Sequence, residues 1–162
     1  MNTDLFHLQN VICYFSNWAN YRSGDGHFVP ENLDASLCSH VFYAYANLDA
    51  RSFEMVPSSK RIDIDSGYYN RVQETARRQN PSVRVFLSVG GWSDSAGDTY
   101  SKLVSDPAKI RRFARAAAKF VDERGFDGLS VEWQYPVCWQ SDCTAGKNSD
   151  DRSSPSLIAL MF

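Results

Sequence analysis

Four short apolar, β-branched runs recur along the chain at 11–16 (VICYFS), 41–46 (VFYAYA), 83–89 (VRVFLSV) and 126–133 (FDGLSVEW). Each reads as a strand, and helical patterns lie between them. Before the fourth run, Asp106 is a cap and Pro107 the first helical position. Ile110, Phe113, Ala114, Ala117, Phe120 and Val121 then share one face, and Gly125 is the stop. Before the third run, Tyr69, Val72 and Ala76 mark another helix, ended by Asn80-Pro81. Pro30 to Leu33 read as a helical turn, preceded by a loop from Arg22 to Phe28 with two glycines. Strands that alternate with helices predict successive βαβ units in a parallel sheet, an α/β fold. The same spacing excludes a short-period solenoid.

Composition narrows the function classes. The 162 residues are 43% hydrophobic and 22% charged, which excludes a disordered or low-complexity chain. A net charge of -2 sets up no field that would draw in nucleic acid or an anionic membrane. The longest apolar stretches, Val83 to Val89 and Leu157 to Phe162, fall far short of the roughly 18 to 20 residues of a membrane span. Arg111, Arg115 and Lys119, with Arg112 beside them, read as the solvated face of the helix after Pro107.

Four cysteines, Cys13, Cys38, Cys138 and Cys143, form an even set that suits two bridges in an oxidising compartment. Four free thiols or a metal site are the alternatives, and zinc is disfavoured because only one tight pair exists. Yet the opening MNTDLFHLQN shows no basic start followed by an apolar run, so no secretory signal is visible. The two signals together predict a chain that is not a complete mature protein. Leu157 to Phe162 begin a helical pattern that stops within two turns, which reads as a cut inside an element. The polar stretch PVCWQSDCTAGKNSDDRSSPS before it reads as a surface loop.

The chemically dense segment is FDGLSVEWQYP, residues 126–136. On a strand, Ser130, Glu132 and Gln134 project from one face, while Leu129, Val131 and Trp133 project from the other and pack on helices. The polar face points to the sheet interior and rises toward the carboxyl end of the strand, where sites form in parallel α/β folds. Spacing alone fits a buried, satisfied acid at Glu132 as well as a functional one. Gly90-Gly91 are followed by no phosphate-cradling motif. Asp63, Asp65 and Glu74 carry calcium-loop spacing but lack the turn glycine. His7, His27 and His40 show no paired metal-ligand spacing. No metal and no cofactor is therefore expected.

This segment resembles the signature of glycoside hydrolase family 18, the chitinases and chitinase-like proteins: Asp-Gly-x-Asp-x-Asp-Trp-Glu-Tyr-Pro on the fourth barrel strand. Further blocks are similar in order: CYFSNWANYR, ENLDASLCSHVFYAYANLD, and Ser88-Val89-Gly90-Gly91-Trp92. The CWQSDC loop is most similar to arthropod chitinases. The resemblance implies a (β/α)₈ TIM barrel. An eight-unit barrel usually needs roughly 200 residues or more, so the expectation is a partial barrel of about the first four β/α units. Residues 1–10 would be an N-terminal extension and 11–162 an incomplete barrel domain.

In that family the last acidic residue of the signature protonates the glycosidic oxygen. The middle acid orients the substrate's 2-acetamido group, which is the nucleophile, and the first tunes the middle one. Here those positions hold Gln134, Glu132 and Ser130. An amide has no proton to give at physiological pH, so Gln134 can hydrogen-bond the bridging oxygen yet not act as general acid. Glu132 lies about 6.6 Å deeper along the strand, beyond the roughly 3 Å reach of proton transfer.

The resemblance also places Tyr14, Tyr45 and Trp92 on a sugar-lined groove, with Tyr21 and Trp133 as neighbours. The expectation is a chitinase-like protein that binds chitin or chito-oligosaccharides with impaired hydrolysis. The alternatives are a chitinase acting as part of a longer chain, and a half-barrel without function of its own that associates with its missing second half. The bridges expected are Cys13–Cys38 and Cys138–Cys143, one of three pairings open to four cysteines. The expected location is extracellular.

Overall fold

A computed structural model gives the structure of the protein, which describes residues 10–138 and 144. Among the described residues, five strands form one sheet. They are β1 (Ile12–Ser16), β2 (His40–Leu48), β3 (Met55–Pro57), β4 (Arg84–Gly90) and β5 (Gly128–Glu132). Among the described residues three α-helices accompany them: α1 (Tyr68–Gln79), α2 (Thr99–Val104) and α3 (Pro107–Glu123). The order is β1-β2-β4-β5, every neighbour parallel, with β3 antiparallel against the end of β2. All four strand runs in the sequence are therefore strands of one parallel sheet. The links β2–β4 and β4–β5 carry helices as expected, whereas the β1–β2 link has only 3₁₀ turns, one of them at Pro30–Asn32.

Local chemistry fixes the helices. Asp106 caps α3 by accepting from the Ala108 N–H at 2.8 Å, with Pro107 opening the first turn. Ile110, Phe113, Ala117 and Val121 then lie buried on one face. The chain leaves α3 through Gly125 at φ +72°, a left-handed conformation that glycine takes without strain. In α1, Tyr68, Tyr69, Val72 and Ala76 are buried, and Asn80 ends the helix with its Nδ2 donating to the Cys38 carbonyl at 2.9 Å.

The two faces of the sheet differ in kind. Outward residues Phe15, Val41, Tyr43, Val85, Leu87 and Val89 are fully buried beneath the helices. On the inner face one cross-strand row runs Tyr14, Phe42, Phe86, Gly128. The next row up contains only small residues, Ser16, Ala44, Ser88 and Ser130. Tyr14 packs edge-on to Phe42 at 5.4 Å, and Phe42 lies 5.2 Å from Phe86. Gly128 is where the row ends because the Phe86 ring fills the space a side chain would need: a Cβ there would stand 2.4 Å from its Cε1. The carboxyl ends of β2, β4 and β5 thus rise together above a layer of small side chains, and a bulge between Ala44 and Ala46 re-aims Tyr45.

A disulfide joins Cys13 in β1 to Cys38 ahead of β2, as expected. Cys138 is also disulfide-bonded; the expected Cys138–Cys143 pairing falls on Cys143, outside the described residues.

Candidate functional site

A cleft of about 680 Å³ opens at the carboxyl ends of the strands. Three of the five aromatics expected at or beside the groove, Tyr21, Tyr45 and Trp92, line it together with Gln134. Trp92 and Tyr21 are half to mostly exposed, 50% and 59%. Trp18, not singled out in the sequence, lines the cleft as well and is 44% exposed. It follows β1 in the 3₁₀ turn Asn17–Tyr21, whose period puts Trp18 and Tyr21 on one side.

Tyr14 and Trp133 lie elsewhere. Tyr14 is on the inner face of β1 and is not among the residues lining the cleft. Trp133 is 7% exposed and stacks on Tyr100 at 5.7 Å, so it belongs to the core and not to the groove.

Glu132 and Ser130 sit below the cleft. The Tyr45 hydroxyl donates to Glu132 Oε2 at 3.1 Å. Burial, with the Glu132 charge and this hydrogen bond adding to it, pushes the Tyr45 phenol up to about 12. Tyr14 approaches the same carboxylate from β1, and burial followed by the nearby Glu132 pushes its phenol up to about 12 as well. Glu132 Oε1 is buried with no hydrogen-bond partner among the described residues, and so is Ser88 Oγ in the row beneath. Ser130 pairs in register with Ser88. The carboxylate therefore has two tyrosines beside it on the inner face of the sheet, and Glu132 is not among the residues lining the cleft.

Gln134 is positioned through its backbone. Its N–H donates to Ser95 Oγ at 2.9 Å, and Ser95, itself fully buried, bonds the Glu132 carbonyl at 3.4 Å. The Gly91 N–H donates to that carbonyl too, at 2.9 Å. The loop that follows Gly90-Gly91 thus grips the end of β5. Gly91 has φ +81°, and a Cβ there would meet the Tyr45 ring at 2.8 Å, so the loop approaches only because the residue is glycine.

Asp94, next to Ser95, is the lining residue that carries a carboxyl. Its Oδ2 accepts from the Tyr100 hydroxyl at 2.7 Å and from the Leu48 N–H at 3.0 Å. Burial raises its pKa against those two bonds, which pull it down. A fully buried acid, Asp63, backs the wall. Its Oδ1 accepts from Asn17 Nδ2 at 2.7 Å and from the Tyr43 hydroxyl at 2.5 Å. No group of three or more metal-ligating side chains occurs among the described residues.

Comparison with known proteins decides the family. Residues 10–158 match the model of glycosyl hydrolases family 18. The chain belongs to glycosyl hydrolase family 18. Its sequence is 40% identical to probable chitinase 10 of Drosophila melanogaster over 152 residues, which is 94% of this chain and 6% of that protein. Catalytic domain 2 of the Ostrinia furnacalis group II chitinase, solved as a mutant in complex with (NAG)5, superposes with a TM-score of 0.87 at 37% identity, covering 94% of this chain and 39% of the other. Human YKL-39, described as a pseudo-chitinase with retained chitooligosaccharide binding properties, gives a TM-score of 0.73 at 27% identity, over 94% of this chain and 37% of its own. The family 18 chain described here thus spans well under half the length of each of these relatives, and its parallel sheet with helices is part of their TIM barrel.

Proposed function

We propose that this family 18 chain binds chitin-type oligosaccharides of N-acetylglucosamine and contributes little or no hydrolysis. The observation that carries the reading is the placement of Gln134 on the same cleft as Trp18, Tyr21, Tyr45 and Trp92. Aromatic faces take the apolar side of sugar rings, and the surrounding serines and asparagines supply hydrogen bonds for their hydroxyl and acetamido groups. At the position where the family signature carries its proton donor, the cleft presents an amide.

Glu132 is no substitute in this reading. Its carboxylate is engaged by Tyr45, with Tyr14 close by, and is absent from the cleft wall, so it does not meet a bridging oxygen there. A relative described as a pseudo-chitinase that still binds chitooligosaccharides supports the separation of binding from turnover. The similarity to chitinases favours a second reading, in which a longer chain containing residues 11–162 hydrolyses chitin through an acid other than Gln134. The Cys13–Cys38 bridge supports an oxidising, extracellular setting for either.

The test is titration calorimetry of the oxidised chain with chitohexaose, paired with chromatography of the sugar after long incubation. Binding heat with no shortened products is the expected result. Turnover at chitinase-like rates while Gln134 is in place would sink the reading of that residue, and absence of binding would sink the cleft as a sugar site.

A further inference from the structure

The walls of the cleft are lopsided in charge. Among the described residues, and apart from tyrosine phenols, the ionisable group that lines it is Asp94, and no lysine, arginine or histidine does. Both described hydrogen bonds to Asp94 end on Oδ2. None of the described hydrogen bonds or ion pairs uses Oδ1, which leaves that oxygen as an acceptor at the wall. Two more carboxylates stand one hydrogen bond behind the surface. Asp63 holds Asn17, which lines the cleft, and Glu132 holds Tyr45, which does too. Two guanidinium groups stand at the rim on one face of the lining rings, Arg22 over Trp18 at 4.4 Å and Arg61 over Tyr21 at 5.5 Å, and neither makes a described ion pair with Asp94.

A fully acetylated sugar is neutral and gains nothing from that field beyond ordinary hydrogen bonds. A sugar with a free 2-amine is protonated near neutral pH, and it would supply the one kind of group the wall lacks. A carboxylate held partly out of water without a counter-ion is costly, and a cation delivered by a ligand relieves the cost. Burial raises the pKa of Asp94 in spite of its bonds from Tyr100 and Leu48. Attraction between opposite charges is also stronger in a partly dewatered cleft than in bulk solvent.

We propose that the cleft takes oligosaccharides containing free glucosamine units, as in partly deacetylated chitin, with the protonated amine of one unit paired to Asp94 Oδ1. The inference rests on the reading of the cleft as a sugar site. Trp18, Tyr21 and Trp92 would stack the rings of either sugar, so the amine and not the aromatic wall sets the preference. Asp94 becomes a specificity-determining residue supplied by the loop after β4. Tyr100 and the Leu48 N–H fix its orientation by occupying the other oxygen.

The experiment is titration calorimetry of the chain at a pH near 6 with two hexamers, chitohexaose and the fully deacetylated glucosamine hexamer, each at low and high salt. At low salt the glucosamine hexamer should bind about tenfold more tightly, the scale of one partly buried charge pair. Its advantage should shrink as salt is raised, while chitohexaose affinity stays level. In Asp94→Asn the ratio between the two ligands should fall to about one, because the wall loses the charge and keeps the shape. Should that variant fail to fold, the salt series on the unaltered chain decides alone. Weaker binding of the glucosamine hexamer than of chitohexaose overturns the inference and leaves the sugar-site reading standing, as does a ratio untouched by Asp94→Asn. If neither hexamer binds, both readings fall.

Discussion

Tyr45 reaches across from β2 to hydrogen-bond Glu132 on β5, and the strand between them, β4, contributes glycine at the same level. Gly90 pairs in register with Glu132, and a Cβ on it would stand 2.5 Å from the Glu132 carbonyl oxygen. A side chain on β4 here would press on the main chain of Glu132 and on the Tyr100 hydroxyl, so the glycine is what lets β5 lie this close. The carboxylate and the phenol are placed to hold each other, and the cleft above is left to Gln134.

That division predicts what a single substitution restores. In a complete eight-stranded barrel carrying these residues, Gln134→Glu should raise chito-oligosaccharide cleavage by roughly 10²- to 10⁴-fold, the usual contribution of a general acid. Chitohexaose affinity should change far less. Product chromatography beside calorimetry checks both, and a variant as inactive as its parent would show that more than the proton donor is missing.

The tyrosines beside Glu132 make the fold sensitive to alkali. Tyr45 and Tyr14 hold their protons up to about 12 in the folded chain against an ordinary value of 10.0. Between those values the folded state binds more protons than the unfolded one, so stability is fully present below pH 10 and drains away as pH rises toward 12. Tyr43 and Tyr100, both raised further by burial and a neighbouring carboxylate, act in the same direction. Ultraviolet titration of Glu132→Gln should move the Tyr45 and Tyr14 transitions down toward 10. Unchanged transitions would mean that burial alone sets them.

Asp127, first residue of the signature segment, is tied into the fold. Its Oδ2 accepts from the Val85 N–H at 2.7 Å and pairs with Arg77 at 3.0 Å. Asp127→Ala should destabilise by about 1 to 3 kcal/mol, since a strand N–H loses its partner. Arg77→Ala, which removes a pair more than a quarter exposed on both sides, should cost no more than about 1 kcal/mol through the ion pair. Urea unfolding of the two variants measures the difference, and equal losses would contradict this ranking.

Gly128→Ala should cost about 1 to 3 kcal/mol through overpacking against Phe86. Combining it with Phe86→Leu should recover part of that loss, giving a non-additive cycle. Additive losses would place the difficulty in the backbone and not in the ring.

Much of this was legible before any coordinates. The four strands, α1 and α3 announce themselves because period and capping are local, as in Asp106-Pro107. The pieces missed are short or non-local. β3 is three residues held by β2, and α2 shows Tyr100, Leu103 and Val104 in a pattern of only six. At the site, Gln134, Tyr45, Trp92 and Tyr21 came through family resemblance. Asp94 and Ser95 did not, since their partners Leu48 and Gln134 lie 46 and 39 positions away and no spacing rule connects them. Trp18 carried a weak signal, three residues before Tyr21 in an aromatic stretch that reads equally well as core.

The grip of Ser95 and Gly91 on the end of β5 uses main-chain atoms of Glu132 and Gln134. Such a hold is blind to which side chain residue 134 presents. Glutamine and glutamate have nearly the same volume, so exchanging them leaves the grip and the shape of the cleft wall as they were. A lineage on this scaffold can therefore lose or regain an acid at this position through a single change without refolding anything. In such a protein the exchange of acid for amide at this position is an inexpensive step, reversible in principle.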